Sequence, residues 1–227
     1  MNYFLKPIIM AILISILYGC TPKVIVNFNK DGLNNIVTDS ISFYTNAAYK
    51  ISPEYSNDFV VSLVRMNVLN VPKTAENVKL LIELIAIKNQ AHINDLEIKS
   101  KLTKNETSSF VRAFPNGLNS NKTVAEIVKN DKRLNAKLAC SPEIVDAHWS
   151  WFSATGDTAI IGKLIESSKV KNTPCCFGSI EWSVPSQATQ NEDVYNYLIS
   201  RQNQLSETKR KWFSRFIPSK NECKWTK

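Results

Sequence analysis

From about residue 57 onward, apolar residues recur at three- and four-residue intervals, the spacing of helices that each turn one face to a core. Asn57 or Asp58 can cap a helix reaching about Leu69, and Pro72 separates it from the next. For that second helix Thr74 is the expected cap, with Glu76 in the electropositive first turn. Val78, Leu81, Ile82 and Ile85 form its stripe. Leu80, Leu84 and Ile87 spread apolar surface round the rest of it, which predicts a central, buried helix. Thr107–Phe114 predicts a short helix, stopped by the turn tripeptide Pro115-Asn116-Gly117. Thr123–Leu138 predicts another, with a stripe of Val124, Ile127, Val128, Leu134 and Leu138.

Ser141-Pro142-Glu143 is the clearest helix start: a capping hydroxyl, a proline at the first helical position and a carboxylate at the positive end. Thr155-Gly156-Asp157 should end that helix and cap the next, giving an antiparallel αα-hairpin through Ile160, Ile161, Leu164 and Ile165. Asp193–Leu205 and Ser206–Ile217 complete the series, the last stopped by Pro218. The expected fold is all-α, a compact array of about seven or eight short helices with αα-hairpins. No exact repeat occurs at solenoid periods, although the hairpin spacing permits a degenerate helical-repeat stack.

The pattern before residue 57 is different. Lys23–Asn29 alternates through Val24, Val26 and Phe28, as a short strand or an extended tether would, and Asn34–Ile51 is ambiguous. Pro7–Tyr18 is an almost wholly apolar run of about a dozen residues, short of the roughly 20 that span a bilayer. Lys6 precedes it, and Gly19-Cys20 closes it. Leu17-Tyr18-Gly19-Cys20 resembles the lipobox of a bacterial lipoprotein signal peptide, although Tyr18 stands where a small or β-branched residue is commoner. The resemblance implies cleavage before Cys20, acylation of Cys20 by palmitate-type chains and attachment to a membrane through that lipid. Thr21, in place of an aspartate, then points to the outer membrane, facing the periplasm. The implied organisation is a signal peptide over 1–19, a lipidated tether over 20–56 and a helical domain over 57–227.

A second resemblance covers residues 141–205, about a third of the chain after Cys20. The run Asp146-Ala147-His148-Trp149-Ser150-Trp151-Phe152-Ser153-Ala154-Thr155-Gly156-Asp157 is similar to a motif of uncharacterised bacterial helical proteins. In these, an aromatic-rich helix ending in Ala-Thr-Gly and an acid precedes an isoleucine-rich one. Ile180-Glu181-Trp182-Ser183-Val184 resembles that family's Ala-x-Trp-Ser-Leu segment. The likeness implies a helical-hairpin domain and carries no catalytic role.

Composition narrows the functional classes. The chain of 227 residues is 44% hydrophobic with few glycines, a globular rather than disordered composition. Its formal charge of +8 suits anionic partners such as headgroups or glycans. An envelope address turns that charge away from nucleic acid. Apart from Cys20 there are four cysteines, Cys140, Cys175, Cys176 and Cys223, an even set compatible with disulfides in an oxidising compartment. Adjacent Cys175 and Cys176 would form a strained ring with each other, so each is expected to pair with Cys140 or Cys223, although one bridge and two thiols is also open.

Catalytic signatures are sparse. His148 has Asp146 and Ser150 two positions away on either side, and such positions do not face each other on a helix. There is no Gly-x-Ser-x-Gly turn, phosphate loop, dinucleotide fingerprint or Cys-x-x-Cys. Cys175, Cys176, His92 and His148 lack metal-ligand spacing. No catalytic residue, metal or cofactor is therefore assigned. His148, Trp149 and Trp151 remain candidates for lining a groove, with packing between helices as the competing reading. Lys209-Arg210-Lys211-Trp212-Phe213-Ser214-Arg215-Phe216 suits either a membrane interface or, preferred here, a terminal helix docked on the domain with its lysines solvated. The sequence thus favours an envelope lipoprotein whose helical domain binds a protein or peptide or acts as a scaffold. The alternative is an envelope enzyme acting on cell-wall or lipid material.

Overall fold

A computed structural model of the chain describes residues 48–118, 122–136, 141–168 and 174–223, apart from the side chains of residues 73, 74 and 174–178. Residues 1–47, which hold the expected signal peptide, Cys20 and most of the expected tether, lie outside the described residues, as does Cys140. Within them the protein is all-α: ten helices and no strand. No helix there is long and apolar enough to cross a membrane.

Helix α1 is Ser56–Arg65 and α2 is Pro72–Lys88. The second starts at Pro72, not Thr74, because proline at the first position gives up an N–H that no helix could use. Six residues, Asp95–Ser100, form α3, capped by Asn94, whose side chain accepts from the Leu96 and Glu97 amides. Lys104–Ala113 is α4, begun earlier than expected by a reciprocal capping box between Thr103 and Glu106. Gly117, at φ 74°, makes the turn that follows. Val124–Asn130 is α5, again opened by a capping box, Thr123 with Glu126. It ends eight residues before the expected Leu138, because Asp131 Oδ1 accepts from the Arg133 amide at 2.8 Å and offers the backbone a turn instead of a helix.

Pro142–Thr155 is α6, and Ser141 caps it by accepting from the Ile144 amide at 3.3 Å. Gly156, at φ 74°, ends it in the left-handed conformation glycine tolerates. A Cβ there would also stand 3.0 Å from the Tyr49 ring. Asp157 Oδ1 accepts from the Ala159 amide at 2.9 Å and opens α7, Ala159–Ser167, closing the expected hairpin. Pro174–Gln190 is α8, which carries Pro185 in its interior. Glu192–Asn203 is α9, capped by Asn191, and Glu207–Phe213 is α10, followed by a 3-10 turn at Ser214–Phe216. The ten helices exceed the expected seven or eight because α3 and α8 carry no clear apolar period.

Two hydrophobic cores share α6. The first gathers α1 to α5 and takes Ala147 and Ala154 from α6. The second is built from Val145, Trp149 and Phe152 of α6 with Ile161, Leu164, Ile165, Ile180, Val184, Leu198, Phe213 and Phe216. A helix with period 3.6 places these two sets on opposite faces, so α6 is a wall between the cores. Alanines on the first-core face let α2 approach closely, and α2 is buried nearly all round, with Leu81, Ile82 and Leu84 at 0% exposure. The folded unit also reaches back beyond residue 57: Ala48 and Ile51 are buried in the first core.

Candidate functional site

The residues expected to line a groove are mostly inside. His148 is 1% exposed and Trp149 3%, while Trp151 is half-buried against the first core. Trp149 packs edge-on to Phe152, their centroids 5.9 Å apart. The Trp151 indole N–H donates to Asp157 at 3.4 Å, and Thr155 Oγ1 donates back to the Trp151 carbonyl at 2.8 Å, so this aromatic fixes the hairpin turn. His148 Nδ1 hydrogen-bonds the Ile144 carbonyl at 2.8 Å, which leaves Nε2 as an acceptor in the interior without a partner. Burial pushes the imidazole below its ordinary pKa; the Ile144 carbonyl opposes this, Lys163 reinforces it and Asp131 opposes it. Thus the three residues do not converge on an open site, because the helix that bears them has a core on each side.

Asp146 is exposed, yet crowding by protein atoms, aided by the Glu143 charge, raises its carboxyl to about 6. Water reaching the group limits the weight of that shift.

A polar cleft of about 530 Å³ lies between the start of α2 and the turn after α5. Its walls include Glu76, Asn77, Asp131, Lys132, Arg133 and Glu143. Arg133 dominates it. The guanidinium donates to Asp131 Oδ1 at 3.0 Å and Oδ2 at 2.5 Å, to Asn77 Oδ1 at 2.6 Å and to the Glu76 carbonyl at 3.3 Å. Burial pushes the Asp131 carboxyl up, but the hydrogen bonds from Arg133 outweigh it and the net displacement is downward. Most of the guanidinium's donors are consumed within the protein, so its work here is to clamp the 130–136 turn onto α2 rather than to receive an anion.

A second polar cluster joins the N-terminal segment to the last helices. The Tyr49 hydroxyl donates to Asp193 Oδ2, which also pairs with Lys50 at 2.8 Å. Lys88 donates to the Tyr49 carbonyl at 3.2 Å, and the Tyr49 ring meets Phe152 edge-on at 5.6 Å. Burial raises the Tyr49 pKa, and the hydrogen bond to Asp193 adds to it. Neither the Arg133 clamp nor this latch was visible in the sequence. The partners lie 56 and 144 positions apart, and no local signal links them.

The terminal segment docks as expected. Phe213 and Phe216 are buried in the second core, while Lys209, Arg210 and Lys211 stay exposed. Of the cysteines other than Cys20, only the Cys223 side chain is described. It is buried, with Sγ 4.0 Å from the Ala188 carbonyl and 3.7 Å from that of Ser219. The Cys175 and Cys176 side chains and all of Cys140 lie outside the described residues. Among the described residues no group of three His, Cys, Asp or Glu is placed to hold a metal ion. Comparison with known protein families, with characterised proteins and with solved structures finds no match.

Proposed function

We propose that the chain is a lipid-anchored binding or scaffold domain of a bacterial cell envelope, non-catalytic and held to the outer membrane through acylated Cys20. Leu17-Tyr18-Gly19-Cys20, closing a short apolar run behind Lys6, carries this reading. Two or more acyl chains on one cysteine give stable attachment where a single chain does not. The partner is a protein or peptide, met by a rigid helical surface whose turns are clamped by Arg133 and latched by Tyr49. The enzymatic alternative rests on the envelope location and a groove at Trp151, and would need His148 to face a pocket; His148 packs in the interior and Trp151 holds a turn, so both have a structural use.

The test is fractionation of cells that express the chain or its Cys20→Ser form. The membrane fraction of the unaltered protein should carry acyl mass on Cys20 and Cys20→Ser should carry none, keeping its apolar N-terminus; an unaltered protein without acyl mass refutes the anchor. Crosslinking before extraction should then enrich one defined partner.

A further inference from the structure

The last helix turns its rings inward and its charges outward, and we propose that this end of the domain rests on the anionic headgroups of the bilayer. The proposal rests on the anchored reading only for bringing domain and bilayer together. Residues 206–227 contain seven Lys or Arg and two Glu, whereas residues 141–205 contain four Lys or Arg against seven Asp or Glu. Positive charge is therefore gathered at one end of the C-terminal half rather than spread over it.

Packing explains why those cations face outward. Phe213 of α10 and Phe216 of the turn after it are 4% and 0% exposed, and Trp212 is half-buried against the same second core, so the apolar face of this end is taken up by the core. Lys209, Arg210 and Lys211 are exposed, Lys209 and Lys211 leaving the helix on different sides. Arg210 donates to the Leu205 and Asn203 carbonyls at 2.9 and 3.1 Å, which fixes its charge in place. Arg215 is likewise held, by Glu181 at 2.9 Å. Lys209 and Lys211 have no ion pair among the described residues. Beside Glu181 in the chain stands Trp182, 51% exposed and the only large aromatic so exposed among the described residues. Arg215 ties the Glu181–Trp182 stretch of α8 to the terminal segment, and an exposed indole on an element joined to a basic one is a combination an anionic interface favours. A soluble polyanion without rings would engage the same cations but would have no use for Trp182. The contact would be peripheral and sensitive to salt, because exposed charges are screened.

Vesicle partitioning tests this with the full chain in a Cys20→Ser background, so that acylation cannot dominate. Vesicles of phosphatidylcholine alone are compared with vesicles in which about a third of the lipid is phosphatidylglycerol. Any contribution from the apolar N-terminus is common to both. The chain should prefer anionic vesicles, and Lys209→Glu with Lys211→Glu should cut that preference about thirtyfold or more, at about 1 kcal/mol for each lysine removed. Trp182→Ala should weaken it by less. On the unsubstituted chain the preference should vanish in about 1 M salt, where the Debye length is about 3 Å. Equal partitioning to both vesicles overturns the proposal. So does an unchanged preference in a charge-reversed variant that keeps its helical circular dichroism. Tighter binding to polyphosphate, which has no rings, than to anionic vesicles, indifferent to Trp182→Ala, overturns it in favour of a soluble polyanion. An unmodified Cys20 in a chain that still prefers anionic vesicles would defeat the anchor alone; acylated Cys20 without the preference would defeat the surface alone.

Discussion

The two halves of the molecule treat buried polar groups differently. In residues 48–136 the buried polar side chains are tied into the structure: Asn57 accepts from the Asn94 amide at 3.0 Å and donates to Glu97 at 2.7 Å. Asn89 donates to Ser56 at 2.8 Å, Ser62 donates to the Asp58 carbonyl at 2.8 Å, and Asn77 accepts from Arg133. In residues 141–223, by contrast, five interior polar atoms lack a partner among the described residues: His148 Nε2, Trp149 Nε1, Ser150 Oγ, Ser183 Oγ and Gln187 Oε1. All of them sit on α6 and α8. An unpaired buried polar group costs about 1–3 kcal/mol, so the C-terminal half gains less from comparable apolar burial. Stability within one chain is uneven, and the less satisfied half is expected to open first.

The largest effect should come from the cores themselves. Phe110→Ala, at a fully buried site in the first core, should lower unfolding free energy by about 3–5 kcal/mol in denaturant titration. Phe216→Ala, equally buried in the second, should fall at the lower end of that range, because a loosely satisfied surround collapses more readily. The reverse order would break the comparison.

Asn57→Ala should cost about 1–3 kcal/mol, because it strands the Asn94 amide and strips Glu97 of a donor at the α1–α3 junction. A near-neutral result would mean that the first half's polar network is decoration.

His148 supplies a pH effect whose sign is fixed by geometry. Its folded pKa is depressed, so the unfolded chain binds the proton more readily. Stability should be full above the ordinary histidine value of about 6.5 and should fall as pH drops through it. Asp146 has the opposite sign, since its folded pKa is raised to about 6 and its contribution is lost as pH rises toward that value. The slope is therefore best read between about pH 8 and 6.5, where ordinary histidine begins to titrate and the Asp146 carboxyl is still largely ionised. His148→Gln should flatten it, and an unchanged slope would place the titrating group elsewhere.

The smallest loss is expected at Ser183, whose buried hydroxyl has no partner. Ser183→Ala should change stability by less than about 0.5 kcal/mol or increase it, whereas removing a satisfied hydroxyl would cost about 1 kcal/mol.

How much of this was legible beforehand depended on how local the signals were. Ser141-Pro142-Glu143 and Thr155-Gly156-Asp157 marked both ends of α6 because caps act over a few residues. The all-round apolar pattern of α2 correctly implied its central place. Helix α3 is too short to show a period, and α8 was obscured by Pro185, which disfavours a helix interior wherever tertiary packing does not override it. The overlong reading of α5 failed because the Asp131 side chain competes for the backbone. At α6 the stripe pattern identified apolar faces but not what covers them. His148 and Trp149 looked available for a groove because nothing local reveals that a second core lies behind the helix.

If this two-core domain hangs from a lipid on Cys20, as proposed, intact-mass spectrometry of the protein extracted from membranes should show it. The expected species begins at Cys20, lacks residues 1–19 and carries the added mass of acyl chains on that residue. A chain that retains Met1, or one that begins at an unmodified Cys20, would contradict it.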